Sequence, residues 1–407
     1  MENLISAREA AQLLGISLPT LYSYVSRGLL QSHQHEGQKA KRYLKEEVLR
    51  LLARNTDSKR AGSAAESAID WGVPVLESRI TQVNHGKLYY RGLPVDELAR
   101  THTLEQTALI LWDSQETTDL QAIPLPGLDI LWPRLLDLNA ALPPYERAIS
   151  MLPMLGTTVK QITGIQPHQQ AQLWMHLMAA ALLGMKPDYQ TFHHKLASAW
   201  QLDANASQAD LLRAALVVSA DHELNVSTFT VRCVASAGAG LGMALVAGLT
   251  ALSGPKHGGE SLRVGNMVRA GLAGGPHAMR ESLQQRLRIH DASHHFSPRL
   301  PGFGHPLYPH GDPRGSLLMS MLDKKTHVGL FELADTAQDL TGQALNIDYA
   351  LVAVEIACGL PQGAAQILFA LGRTAGWIAH AMEQMEEGQL IRPRARYVGK
   401  FPLTPAG

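Results

Sequence analysis

Cysteine is almost absent from this 407-residue chain: Cys233 and Cys358 are the only two, far apart and in apolar surroundings. That excludes a disulfide framework and a cysteine-based metal site, and both read as small core residues. Net charge is absent as well. Basic and acidic side chains number 36 each, and charged residues make up only 18% of the chain, so the whole is neither a basic nucleic-acid coat nor an acidic tail. Residues 1–7 hold no basic stretch leading into an apolar one, and the expectation is a soluble, cytoplasmic protein. One run has the length of a membrane span, the 20 uncharged residues 233–252 (CVASAGAGLGMALVAGLTAL). Its small-residue content, its abrupt end at Gly254-Pro255 and the lack of a second span identify it instead as a helix buried on all sides.

What is present points to at least two parts. Hydrophobic residues reach 45%, enough for a packed globular body, and the length suits two or three domains. Residues 1–60 carry ten Lys and Arg against six Asp and Glu. Within them Ser6 and Glu9 form a capping box ahead of the apolar face Ala10, Ala11, Leu13 and Leu14. Gly15 ends that helix, and Ser17-Leu18-Pro19 opens a second over residues 20–27, bearing Tyr22, Tyr24 and Arg27. Lys39, Lys41 and Arg42 follow around a turn at Gly37, then a closing helix over 44–54. This order (SAREAAQLLGIS, LYSYVSRGLL, KRYLKEEV) resembles the winged helix-turn-helix of the MerR/excisionase family, in which the second helix enters a major groove.

Residues 55–69 have the polar, small-residue composition of a linker. Ile80, Val83, Leu88 and Tyr90 then alternate about His85-Gly86, which predicts a β-hairpin. From Pro94 onward the pattern is helical, interrupted at Pro and Gly clusters, with no internal repeat. Four segments concentrate His, Asp and Arg beside glycine: 219–225 (SADHELN), 254–259 (GPKHGG), 302–314 (GFGH to DPR), and 346–348 (NID) followed by 373–377 (RTAGW) and 392–394 (RPR). His beside Gly suits a loop whose backbone approaches a ligand. Taken singly each has a plainer reading, His as part of a capped turn and Asp as an N-cap. A zinc site built from His222, His257 and His305 lacks the usual ligand spacing.

Taken together and in this order, residues 74–407 resemble the citrate synthase family (LESRITQVNHGKLYYRGLPVDELA, ADHELNVSTFTVR, GPKHGGE, GFGHPLYPHGDPR, NIDY, GRTAGWIAHAMEQ, IRPR). The resemblance implies a mainly α fold with large and small helical domains and a short N-terminal β-hairpin, preceded by the small winged helix-turn-helix. The implied boundaries are 1–54 for the winged unit, 55–69 for the linker and 70–407 for the body. Its large part would cover about 70–256 and 363–407, and its small part about 257–362. The activity implied is acyl transfer: acetyl-CoA or propionyl-CoA condenses with oxaloacetate to give citrate or 2-methylcitrate and free CoA. No metal or redox cofactor is implied.

By the same resemblance Asp348 removes the methyl proton, His257 donates to the thioester oxygen and His305 protonates the ketone of oxaloacetate. Arg314, Arg373 and Arg392 bind its carboxylates with His222 beside them. Arg392 reaches in from a second subunit, making a homodimer or higher homo-oligomer with the 233–252 segment at its interface. Three departures stand out. Ser219 occupies a position where the family often has a second His. Pro306 and Pro309, with His310 nearby, replace basic residues that hold the CoA phosphates, a loss of about 1.5–3 kcal/mol per charge-assisted contact. The third is the helix-turn-helix itself. It keeps open a second reading: a DNA-binding transcriptional regulator, contacting DNA through residues 1–54, whose body senses a metabolite.

Overall fold

The computed structural model describes residues 4–14 and isolated positions as far as 48, then 76–114, 127–160, 162, 164–202, 206–275, 278, 280–285, 300–393 and 399. The chain divides into two compact units, residues 1–77 and 78–407.

In the first unit, Ser6 N donates to Glu9 Oε2 at 2.8 Å and Glu9 N donates back to Ser6 Oγ at 3.3 Å, which is the capping box read from the sequence. It opens α1 (Ala7–Leu14), whose Ala10, Ala11 and Leu14 are buried. Strand β1 (Leu4–Ser6) pairs antiparallel with β2 (Arg42–Leu44), Leu4 opposite Leu44 and Ser6 opposite Arg42. Tyr43, Leu21, Leu30 and Val48 complete a small core of this unit's own. Lys41 and Arg42 are exposed at the start of β2. Tyr22, Tyr24, Arg27 and Lys39, together with the linker at 55–69, lie outside the described residues.

The second unit begins with the expected hairpin, β3 (Thr81–Asn84) against β4 (Lys87–Tyr90). His85 and Gly86 take φ of 48° and 73° at its turn, the left-handed pair that a two-residue loop needs to match the strand twist. A short β5 (Leu93–Pro94) extends the sheet. The buried hydroxyl of Tyr90 lies 3.0 Å from Asp221 O and accepts from Asp221 N at 3.1 Å, anchoring the sheet to a distant turn.

The rest is helical. Its longer helices, in chain order, are α2 (Val95–Thr101), α3 (Leu104–Leu111), α4 (Leu128–Leu138), α5 (Pro144–Met151), α6 (Pro167–Leu183), α7 (Phe192–Ala199) and α8 (Ala206–Ser219). Then follow α9 (Val226–Ser236), α10 (Leu241–Leu252), α11 (Glu260–Ala273), α12 (Pro313–Ser320), α13 (Val328–Thr341), α14 (Ile347–Ala357) and α15 (Ala364–Glu387). One continuous apolar core runs through them. Among the described residues no helix is long and apolar enough to cross a membrane.

Helix α15 organises this unit. Its 24 residues span about 36 Å, and it packs against α3, α6, α8, α9, α10 and α14. Gly372 and Gly376, one turn apart, face the end of α8: a Cβ on Gly372 would stand 2.6 Å from Leu216 O, and one on Gly376 would overlap Asp221. With no Cβ in the way, Gly376 N donates to Ala220 O at 3.0 Å. The turn between α8 and α9 is thereby held against the middle of α15.

The 233–252 segment corrects the sequence reading. It is two helices, not one: α9 ends at Ser236, Gly238 takes φ of 79°, and α10 restarts at Leu241. Nor is it buried on every side within one chain, because Met243 is 51% exposed and Val246 and Ala247 are half-buried on the same face. A run of small apolar residues reads as continuous, but the glycines at 238 and 240 release the chain into a tight reversal.

Candidate active site

The turn between α8 and α9 presents Asp221 and His222, both buried. His222 Nε2 shares a hydrogen bond with the Tyr308 hydroxyl at 2.9 Å, and its ring stands edge-on to His305 with centroids 5.0 Å apart. His305 follows Gly302 and Gly304, whose φ of 84° and 72° let the chain turn back on itself. Backbone bonds from Gly304 N to Ala344 O (2.8 Å) and from Asn346 N to Gly302 O (2.9 Å) stitch this loop to the start of α14. Further along, Asp312 caps α12 and grips Arg314 through Nε (2.9 Å) and Nη2 (2.7 Å). Arg314 also lies over the Tyr308 ring, 5.7 Å from its centre.

Arg373 enters from α15. Its Nε donates to Ser219 O at 3.0 Å, its guanidinium lies 4.9 Å from the Phe369 ring centre, and its Nη2 is buried without a hydrogen-bond partner. Two buried guanidiniums thus face one pair of imidazoles. Burial, followed by the charges of Arg314, Arg373 and His305, holds His222 well below the ordinary histidine range, so the ring is neutral. Burial works against the charge of Arg314, and the adjoining Asp312 carboxylate more than restores it. Arg373 is lowered by burial, with Asp221 opposing. Asp221 itself stays ionised: burial would raise it, but His380, 3.3 Å away, and Arg373 hold it down.

His257 and Asp348 form the other side. His257 closes the turn before α11, and its Nε2 lies 2.9 Å from Ser227 Oγ. That hydroxyl donates to Asn225 Oδ1 at 2.7 Å and accepts from Trp377 Nε1 at 3.2 Å. A hydroxyl has one proton, so His257 is the donor to Ser227 and carries its own proton on Nε2. Burial and then the Arg373 charge lower its pKa to about 4, and the ring is neutral. Asp348 sits in the first turn of α14, where Asn346 Oδ1 accepts from Asp348 N at 3.0 Å. Its carboxylate accepts from Ser261 Oγ at 2.8 Å. Burial raises its pKa to about 6, with Ser261 working the other way.

Six of the seven residues singled out in the sequence, His222, His257, His305, Arg314, Asp348 and Arg373, therefore share one electrostatic neighbourhood. Arg392 does not join them within a single chain. It is exposed beyond α15, next to Ile391, whose N–H donates to Ser236 Oγ at the far end of α9. Ser227, beside His257, is nine residues away on that helix, a rise of about 13 Å. Arg394 lies outside the described residues.

The comparisons with known proteins follow the same lines. The sequence model described as "Citrate synthase, C-terminal domain" matches residues 69–394, and one described as "Helix-turn-helix domain" matches residues 4–56. The chain belongs to the citrate synthase family. Accordingly it is an enzyme of the citrate synthase type, an acyltransferase. Citrate synthase 2 of Bacillus subtilis (strain 168) is 25% identical over 362 residues, 81% of this chain and 94% of that one. The citrate synthase of Haloferax volcanii is 27% identical over 371 residues, covering 82% and 95%. The crystal structure of citrate synthase from Thermotoga maritima superposes with a TM-score of 0.66 at 25% identity, covering 83% of this chain and 96% of that one. A Thermoplasma acidophilum citrate synthase, solved as a ternary complex with carboxymethyl coenzyme A and oxaloacetate, shares the fold at 22% identity, with a TM-score of 0.66 and coverage of 84% and 98%.

Around this candidate site the structure adds residues that sequence reasoning did not single out. Tyr308, Ser227 and Trp377 lay inside quoted motifs and carried no signal of their own. Ser261 lay just outside one. Ser219 is buried and serves Arg373 through its backbone carbonyl, while its own hydroxyl has no hydrogen-bond partner. Pro306, Pro309 and His310 are exposed around the buried Tyr308. Among the described residues no group of three or more His, Cys, Asp and Glu could hold a metal ion.

Proposed function

We propose that the chain condenses acetyl-CoA with oxaloacetate to citrate and free CoA, with propionyl-CoA, giving 2-methylcitrate, as the alternative acyl donor. The observation that carries this reading is the pairing of two buried arginines, one with an unspent N–H group, with a half-buried carboxylate of raised pKa across the site. Arg314 and Arg373 take the carboxylates of oxaloacetate, each guanidinium being able to bind one in a bidentate manner. His222, neutral and held by Tyr308, fixes the keto acid between them.

Asp348 removes a proton from the acyl α-carbon, and a base near pKa 6 is ionised at neutral pH yet basic enough to act. His257 donates to the developing enol oxygen. Donation from Nδ1 requires the other tautomer: the ring proton moves from Nε2 to Nδ1, and the Ser227 hydroxyl turns from Asn225 to donate to Nε2. The enol carbon then attacks the ketone carbon of oxaloacetate while His305 protonates its oxygen. Water cleaves the resulting thioester and releases CoA.

Arg392, remote from its own site, belongs to the site of a second subunit in this reading. The outward apolar face of α9 and α10 is the contact that brings it there, and the active unit is a homodimer. The division of the body into a large part (about 70–256 and 363–407) and a small part (about 257–362) belongs to the same proposal, as does a cytoplasmic location. The test is CoA release by purified protein, followed with a thiol reagent, for oxaloacetate plus either acyl-CoA. Turnover is expected, and Asp348→Asn should lower it by about 10²–10⁴-fold while oxaloacetate still raises the melting temperature. Normal turnover in that variant would remove Asp348 as the base.

A second reading rests on the first unit, with its separate core and the exposed Lys41 and Arg42. In it the chain is also a DNA-binding regulator whose body senses a metabolite. Retardation of duplex DNA by the full chain, lost in Lys41→Glu/Arg42→Glu, is the result that favours it; equal retardation by both would count against it.

A further inference from the structure

We propose that Ser261 is a positioning residue for the base: its hydroxyl holds one carboxylate oxygen of Asp348, so that the other is presented to the acyl α-carbon. This rests on the reading of Asp348 as the base and adds what makes that base work.

The geometry is specific. Ser261 is 2% exposed and occupies the first turn of α11, which packs on α14. Its Oγ donates to Asp348 Oδ1 at 2.8 Å. The Asn346 side chain fixes only the backbone of Asp348 and Tyr349; of the bonds described to Asp348, the one from Ser261 alone reaches the carboxylate and so sets its rotation. A carboxylate that swings freely offers either oxygen at a range of angles, and misplacement by an ångström can cost 10²-fold in rate.

Ser261 is also tied to His257 by a very short stretch of chain. Only Gly258, Gly259 and Glu260 lie between them, and a Cβ on Gly259 would stand 2.9 Å from Gly254 O, so the turn closes only with glycine there. Across these five residues His257 reaches Ser227 on one side and Ser261 reaches Asp348 on the other. One turn therefore places both the group that meets the enol oxygen and the group that aims the base.

The hydroxyl also bears on the proton equilibrium. Burial and the Glu260 charge on α11 raise Asp348, as does Asp312 at the start of α12, whereas Ser261 and Arg314 lower it. Arg373 on α15 and the Tyr145 phenol on α5 face it as well. Loss of the Ser261 bond removes a lowering influence, so the carboxylate should bind its proton more tightly. The acid limb of kcat should then move to higher pH.

The experiment compares Ser261→Ala and Ser261→Thr with the unaltered enzyme, using oxaloacetate and acetyl-CoA across pH 5.5–9. Ser261→Ala is expected to lose about 10–100-fold in kcat, with the oxaloacetate KM within about twofold and the acid limb displaced upward by about half a unit or more. Ser261→Thr, which keeps a hydroxyl, should recover most of both. An unchanged acid limb in Ser261→Ala overturns the proposal, and so does equal loss in the two variants with a falling melting temperature, the mark of a packing role. If Ser261→Ala does not fold, Ser261→Thr decides: near-normal kcat and acid limb support the role, and a folded but inactive protein overturns it. Asp348→Asn keeps the two readings apart. If that variant is silent while Ser261→Ala behaves as the unaltered enzyme, only the positioning role fails; if Asp348→Asn turns over, the base assignment fails with it.

Discussion

Among the described residues four imidazoles, those of His176, His193, His222 and His257, are held neutral by burial, and they set how the protein responds to acid. His222 and His257 belong to the site. His176 does not: it is buried in α6, stacked on Phe192 with centroids 4.6 Å apart, and its Nδ1 lies 3.2 Å from the ammonium of Lys195. Burial, then Lys195, lowers its pKa to about 3. A histidine in the unfolded chain titrates near 6.5, so below that pH the unfolded state binds a proton that the folded state refuses. Stability therefore falls as pH drops from 6.5 toward 3, by up to about 1.4 kcal/mol per unit for each such group. His176→Gln keeps a hydrogen-bond acceptor for Lys195 and removes the titration. Denaturant titrations between pH 7 and 4.5 should show a shallower decline in that variant; an identical slope would mean that His176 is not held neutral. Lys195 is the partner that cannot be spared, since its ammonium is fully buried and held by Asp188 at 3.1 Å as well. A charge left in that interior without partners is among the costliest single defects.

Among the elements, α15 has the most exacting contacts. In most exposed helices Gly→Ala stabilises by up to about 1 kcal/mol. At Gly376 the sign should reverse, because the new methyl group would overlap Asp221 and Ala220. The helix would have to withdraw from the turn that carries His222, at a cost of about 1–3 kcal/mol. Thermal unfolding of Gly376→Ala should show the lower stability, together with weaker protection by oxaloacetate; a stabilised variant would refute this contact. The far end of α15 is secured separately. Arg232 on α9 is buried and paired with Glu383 at 2.6 Å and Glu387 at 2.9 Å, and bonded to Gln384. This arrangement fixes the helix end from which Arg392 departs.

At the scale of the whole molecule, what the sequence made legible was whatever is decided locally. The hairpin could be read because alternation of Ile80, Leu88 and Tyr90 about His85-Gly86 is a property of eleven residues. The capping box at Ser6 and Glu9 needed only four. The motifs around His222, His257, His305, Asp348 and Arg373 were visible because glycine, histidine and arginine are unusual neighbours. What escaped is decided at long range. Twenty uncharged residues read as one helix until Gly238 turned the chain, and the outward face of α10 has no counterpart in periodicity alone. Ser261 meets Asp348 across 87 positions, and nothing in GGESL distinguishes that hydroxyl from an ordinary helix start. Arg392 could be picked out by resemblance, but only the position of Ser236 reveals how far it stands from its own site.

The turn over residues 254–259 has a consequence for how such a chain can vary. Surface loops ordinarily absorb an inserted or deleted residue at little cost. Here a single addition between His257 and Ser261 would rotate the start of α11 by about 100°, and the two side chains would no longer face their separate partners together. Side-chain chemistry in this stretch has some latitude, as the exposed Lys256 shows. Its length has none: it acts as a ruler between the His257–Ser227 and Ser261–Asp348 contacts, and a change of one residue would alter the register of both.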